Sequence, residues 1–324
     1  MIYKNLFKNI EKKLSKSLFN DDTVVSPKGK FVLHINDLET EVEFYRVKID
    51  KKYFDAITEG IDGVTKIEMY PYIQDREQIY ALLANAMSKY NDTLTEFEWH
   101  YYVDTKLSLL DNPFGESPKF SSFDFSHCYQ LDGTSFGPST TLTSVNLSET
   151  YISFVDNLFS NCTNLVIDAA NINNPWIFEN YKRIGDNCFS NTKVYGKLSL
   201  TSDNTKYDIG NEAFLGCTGL TEVAINGDVG ANAFFGCTGV KKLTISQYRY
   251  ETPVIDMFAF SSMQLDDLYI KTGNGRYLKE TSFSPFGYQN NCTVHLPTRF
   301  QDDTSVQNFW LSELGNDITF VFED

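Results

Sequence analysis

The stretch "EAFLGCTGLTEVAI" at 212–225 is followed after a short gap by a near copy, "NAFFGCTGVKKLTI" at 232–245. Each copy runs Ala-Phe, Gly-Cys-Thr-Gly, an apolar residue and a short run ending in Ile, with Cys217 and Cys237 twenty residues apart. Weaker relatives flank the pair: "DNLFSNCTNLVI" (156–167), "IGDNCFSNTKVYGKLSL" (184–200), "IDMFAFSSMQLDDLYI" (255–270) and "ETSFSPFGYQNNCTVHL" (280–296). One phenylalanine recurs through the series, as Phe159, Phe189, Phe214, Phe234, Phe260 and Phe283, at intervals of 20–30 residues. Upstream, "FDFSHCYQLDG" (123–133) and "TTLTSVNLSE" (141–150) keep only the strand half of the pattern. A period of this length is the mark of a solenoid.

The physical reason is size. A unit of this length cannot bury its own apolar residues, so units stack and share one continuous core. In the two best copies Val223 and Ile225, and Leu243 and Ile245, stand two apart, the strand period, with the residue between them facing outward. The segments "NEAF" and "ANAF" are expected to form a helical turn on the opposite side. The recurrent phenylalanine is expected to stack on its neighbours as an internal ladder.

The pattern Ile-Gly-x-x-Ala-Phe-x-Gly-Cys-Thr-x-Leu-x-x-Val-x-Ile resembles the BspA-type leucine-rich repeats. "IGNEAFLGCTGLTEVAI" (209–225) matches nearly every position and "VGANAFFGCTGVKKLTI" (229–245) almost as many. The resemblance spans about 120–300, with Thr192 and Met263 in place of the cysteine and "TSFSPFGY" (281–288) in place of the last Ala-Phe turn. The stretch "CTVHLPTRF" (292–300) with the aromatics after it is similar to the closing segment of such arrays. The expected fold is therefore an α/β leucine-rich-repeat solenoid, one short strand and one helical turn per rung, preceded by a small α+β domain. Its expected division is 1–115, 116–300 and a C-terminal cap at 301–324. The resemblance implies protein binding or adhesion at surfaces.

Residues 1–115 show no such period. Leu6, Phe7, Ile10, Leu14 and Leu18 have helical spacing among five lysines, and docking against the chain's own domain or another subunit is the preferred reading. "KFVLHIND" and "TEVEFYRVKI" read as a hairpin, and "GVTKIEMYPYI" as a further strand. "DREQIYALLANAMSKY" reads as a helix opened by Asp75, and "TEFEWHYYVDTKL" as a closing strand. The linker to the solenoid is "DNPFGESPKFSS" (111–122).

The net charge of −15 opposes binding to a phosphate backbone, so nucleic acid is not an expected partner. No apolar run approaches the ~20 residues of a membrane span, and no secretory signal is visible at the N-terminus. A membrane is not an expected partner either. Cell-surface exposure requires a removed signal. Without one, the setting is a virion or the cytoplasm, and the alternative function is a bacteriophage virion protein, attached through residues 1–115 with the solenoid facing outward. Any homo-oligomer or virion assembly is also expected through residues 1–115.

No catalytic, cofactor or metal site is expected. The six cysteines form no CxxC, and those three residues after the repeat phenylalanine read as small buried hydrophobes, with Cys217 and Cys237 as ladder neighbours. "GTSFG" (133–137) satisfies G-x-S-x-G, but Pro138 and the strand after it leave no place for the helix a nucleophile elbow requires. The four histidines stand alone. The longer repeat intervals hold inserted loops, "NINNPWIFENYKR" (171–183) and "SQYRYETP" (246–253). Trp176, Phe178, Tyr181, Tyr248, Arg249 and Tyr250 are the residue types that dominate binding hot spots, and insertions often emerge on a solenoid's binding face. They are the candidate contacts for a protein or surface glycan, the alternative being that they fold back over the rungs.

Overall fold

A computed structural model describes residues 29–35, 38–44, 51–71, 85–86, 88–90, 92–99, 107–108, 119–124, 128–130, 136–147, 154–172, 181–202, 205–279 and 283–323. The chain divides into two compact units, Met1–Leu94 with Glu98–Thr105, and Thr95–Phe97 with Lys106–Asp324.

In the first unit, strands Gly29–Ile35 and Leu38–Phe44 pair antiparallel as the sequence alternation requires, with Phe31 opposite Val42. Lys66–Pro71 pairs antiparallel on the other side, with Leu33 opposite Ile67. Phe31, Leu33, Ile67 and Met69 are buried. The helix Lys51–Ile57 covers them, with the Phe54 ring edge-on to Phe31 at 5.7 Å. On the outward side Glu68 accepts from Tyr70 Oη at 2.8 Å and pairs with Lys66 at 3.3 Å and His34 Nε2 at 2.9 Å. Burial alone raises the Glu68 pKa, but these donors more than offset it and hold the carboxyl below its usual range. The expected N-terminal helix lies outside the described residues, as does most of the stretch read as a helix at 75–90.

The second unit is a solenoid whose rungs have three sides. One side is a seven-stranded parallel sheet formed by 166–168, 193–200, 219–225, 242–246, 267–271, 292–296 and 318–322, in that spatial order. The register stacks like on like: Val223 on Leu243 on Leu268 on Val294, and Ile225 on Ile245 on Ile270. All seven are buried. The second side is a row of short parallel pairings through Phe154, Ile184, Ile209, Val229 and Ile255.

The third side departs from the expected helical turn. In the Phe214 rung, Ala213, Leu215 and Cys217 donate back to the carbonyls of Gly210, Glu212 and Phe214. The alternate N–H groups, of Glu212, Phe214 and Gly216, donate instead to Ala231, Ala233 and Phe235 of the next rung at 2.7–2.9 Å. A helix would turn every N–H along its own axis. Here half of them tie rung to rung, so the segment is a turn that also acts as a strand. The geometry needs left-handed backbone at both ends, four residues apart: Asn157 and Asn161, Asn187 and Asn191, Glu212 and Gly216, Asn232 and Gly236, Phe258 and Ser262. Asn and Gly are the residues that adopt this conformation at least cost, which explains their recurrence around the repeat phenylalanine.

Inside, the rings form the expected ladder. Centroids are 5.7 Å apart from Phe159 to Phe189, then 5.2, 5.1 and 5.6 Å through Phe214, Phe234 and Phe260. The last member is corrected: Phe286, buried and 5.2 Å from Phe260, takes the place expected of Phe283, which is 57 % exposed. The ladder also extends upstream through Phe136 to Phe123. What separates the two is the distance from the ring to the buried residue near the start of the next strand. It is six residues from Phe136 to Leu142, Phe214 to Leu220, Phe234 to Val240 and Phe286 to Cys292, and five from Phe189 to Val194 and Phe260 to Leu265, whereas Phe283 stands nine before Cys292.

Side chains lock the stack. Asp156 Oδ1 accepts from Asp186 N at 2.8 Å, Asp186 Oδ1 from Asn211 N at 3.0 Å, and Asn211 Oδ1 from Ala231 N at 2.8 Å. A Cβ on Gly210 would lie 2.3 Å from Asp186 Oδ1, so the Ile-Gly of the repeat makes room for this chain of bonds. At the C-terminal end, Asp303 caps helix Thr304–Leu314 by accepting from Ser305 and Val306 N–H at 3.0 and 3.2 Å. Trp310 of that helix packs on Phe286 and donates from Nε1 to Gly275 O at 2.8 Å.

Candidate functional site

The thiols are packing groups. All five cysteines whose side chains are described are buried and unbridged. Cys217 Sγ donates to Phe189 O at 3.2 Å and Cys237 Sγ to Phe214 O at 3.1 Å, each bridging to the rung before. Thr192 keeps the position with a hydroxyl that donates to Phe189 O at 2.7 Å. Burial pushes the Cys162 thiol up to about 12 and that of Cys217 to about 11, far from a reactive thiolate. Of the G-x-S-x-G stretch, Phe136 and Gly137 are described. Phe136 is its ladder ring, and a Cβ on Gly137 would fall 1.7 Å from Ser160 O. Ser135 lies outside the described residues. Among the described residues no group of three His, Cys, Asp or Glu is placed to hold a metal ion, and no helix is long and apolar enough to cross a membrane.

The outward face of the seven-stranded sheet is largely occupied by its own contacts. Lys197 pairs with Glu222 across the strands at 2.7 Å. Tyr269 stacks on His295 at 4.0 Å, with Lys242 Nζ 4.6 Å from the Tyr269 centroid. The His295 ring nitrogens lie 2.9 Å from Asp267 Oδ1 and 3.1 Å from Glu323 Oε1. Neither ring stands clear as a platform for a ligand.

The corner between this sheet and the second side is different, because the inserted loop 246–253 leaves the rung there. After strand Lys242–Ser246 the chain makes a tight turn in which Glu251 N–H donates to Tyr248 O at 2.9 Å, with Arg249 at φ 53°. Tyr248 turns inward and is 7 % exposed, while Tyr250 at the tip is 97 % exposed. The Arg249 guanidinium lies over the Tyr248 ring at 5.0 Å. The turn is anchored on both sides. Lys206 reaches Glu251 at 3.1 Å and Asp228 at 2.8 Å, and Asn274 Nδ2 donates to Thr252 Oγ1 at 3.2 Å. Desolvation lowers the Lys206 pKa, but its two carboxylate partners more than compensate and raise it overall.

Of the other expected contacts, Trp176 and Phe178 lie outside the described residues. Tyr181 opens strand Tyr181–Ile184 on the second side, paired with Lys206. Sequence reasoning passed over three further residues at this corner, Lys271, Arg276 and Arg299, because each sits alone in its own stretch. The available signal was position: each lies at or just beyond the end of a repeat strand, where the inserted loops begin.

These features define a parallel β-solenoid of stacked leucine-rich rungs with one decorated corner. The chain matches the family described as "BspA type Leucine rich repeat region" in six copies, over residues 107–227, 164–286 and 208–313. It belongs to that family. No curated protein and no solved structure matches the chain.

Proposed function

We propose that this chain is a non-enzymatic recognition or adhesion protein that binds a protein partner at the solenoid corner carrying residues 246–253. The observation that carries the reading is the contrast between Tyr248 and Tyr250: one ring is buried as an anchor and its near neighbour is almost wholly in solvent on a turn held by Lys206, Glu251 and Thr252. Left-handed backbone at a non-glycine residue such as Arg249 has an energetic cost. A strained, anchored turn presenting an aromatic is a preorganised contact, which reduces the entropy lost on binding. The resemblance to surface repeats supports the same reading. Trp176, Phe178 and Tyr181, from the inserted stretch 171–183, are included in the proposed surface, and surface glycans are the second ligand class. Residues 1–115 serve as the attachment or oligomerisation module, 116–300 as the recognising array, and 301–324 as its cap.

The test is an array of immobilised extracellular proteins and glycans probed with the full chain and with Tyr250→Ala. Loss of protein signals in the variant, at about 2 kcal/mol or more for a hot spot and with unchanged melting temperature, is the expected result. Identical profiles would place recognition elsewhere.

A further inference from the structure

Three of the chain's six arginines, Arg249, Arg276 and Arg299, occur at this corner on successive rungs. Each is laid over an aromatic ring: Arg249 on Tyr248 at 5.0 Å, Arg276 on Phe309 at 5.4 Å and Arg299 on Phe300 at 4.8 Å. Stacking of this kind orients the plane of a guanidinium and leaves its edge donors available. Arg276 uses one donor on Ser305 Oγ at 2.7 Å, and Arg299 one nitrogen on Thr272 O at 3.2 Å. Each then retains most of its five N–H groups.

Among the described residues none of the three forms an ion pair with a carboxylate. Three of the acids nearby have partners of their own. Asp228 and Glu251 hold Lys206, and Asp303 caps a helix, though the Arg276 charge helps keep Asp303 ionised. Asp302 is exposed. Lys271, exposed at the end of its strand, adds a fourth cation. Rungs stack at about 4.8 Å, so the arginines line an edge roughly 10 Å long in a chain whose net charge is −15.

We infer that this corner binds an acidic polypeptide segment, with Arg249, Arg276 and Arg299 meeting its carboxylates and the exposed Tyr250 and Leu278 meeting apolar side chains between them. This rests on the corner being the recognition surface. Charge complementarity selects an anionic partner, because Arg-carboxylate pairs combine charge with directed hydrogen bonds. The half-exposed Leu278 beside them favours a peptide over a polyuronate, which offers no aliphatic side chain to cover it.

The experiment uses the full chain and a fluorescent peptide of alternating Glu and Leu, with the Gln/Leu peptide and a polyuronate as comparators. Expected are binding of the Glu/Leu peptide alone, weakening with added salt, and a loss of about tenfold or more in the Arg249→Gln, Arg276→Gln, Arg299→Gln triple variant. Lys197→Gln on the sheet face should leave affinity unchanged. Equal binding of the Gln/Leu peptide, or salt-independent binding, would overturn the inference, and the salt series on the unmodified chain decides this even if the triple variant fails to fold. Preferential binding of the polyuronate would overturn the peptide assignment. If Tyr250→Ala abolishes recognition on the protein array while salt and the arginine variants have no effect, the acidic-partner inference fails and the corner reading stands. If neither class of variant matters, both fail.

Discussion

Phe214 and Phe234 lie with ring centroids 5.1 Å apart and planes within 4° of parallel, both fully buried. They are twenty residues apart in sequence and adjacent in the core because consecutive rungs place them at equivalent points. Truncating either ring leaves a cavity bounded by the two neighbouring rungs, which are pinned by their own backbone bonds and cannot close over it. Phe214→Ala should cost ~3–5 kcal/mol in denaturant unfolding. Phe286→Ala should behave like Phe214→Ala, and Phe283→Ala should cost far less. Equal losses at 283 and 286 would contradict the reassigned ladder.

Glu212 holds a left-handed position that is Asn in the Phe159, Phe189 and Phe234 rungs. Glu212→Asn should therefore raise stability by ~0.5–1 kcal/mol, because Asn tolerates this backbone better. Thermal unfolding of the two proteins side by side measures it. A fall in melting temperature would mean the Glu212 side chain makes a compensating contact.

Gly227 packs against the rung before it, where a Cβ would fall 1.5 Å from Tyr207 O. The obstacle is backbone, so the strand must move rather than a side chain. Asn226 beside it donates from Nδ2 to Ser202 O and Thr205 O at 2.7 and 2.9 Å, and these bonds would be disturbed too. Gly227→Ala should destabilise by ~1–3 kcal/mol, read from the same melts.

The buried thiols should react slowly. Folded protein treated with a thiol reagent near neutral pH should modify Cys217 and Cys237 only at the rate of unfolding, and denatured protein should react at once. Rapid native labelling at either residue, located by peptide mass mapping, would contradict their burial.

Acid should weaken the first unit through Glu68. Its folded pKa is lowered, so its contribution is fully present above the unfolded value, 4.5, and is lost as pH falls through the folded one. Glu68→Gln should be less stable than the parent near pH 7 and should lose less stability on acidification below about pH 5. Parallel pH profiles for the two proteins would show that the Tyr70, Lys66 and His34 contacts do not stabilise the ionised form.

The sequence by itself determined the solenoid. A stacked rung must offer its neighbours the same residues at the same places, so Phe, Cys, Leu and Ile recur with the period of the fold, and the Asn and Gly of the turns recur with them. Tertiary structure decided three things that local pattern does not contain. It selected Phe286 over Phe283, because ladder membership depends on standing five or six residues before the buried residue near the start of the next strand and not on resemblance to an Ala-Phe turn. It replaced the helical turn by a segment whose alternate N–H groups bond to the next rung, a choice available only once that rung is present. It also brought Arg249, Arg276 and Arg299 to one corner from three separate stretches. Each arginine alone is unremarkable in sequence, and only stacking, which places equivalent loops about one strand spacing apart, makes a common edge of them.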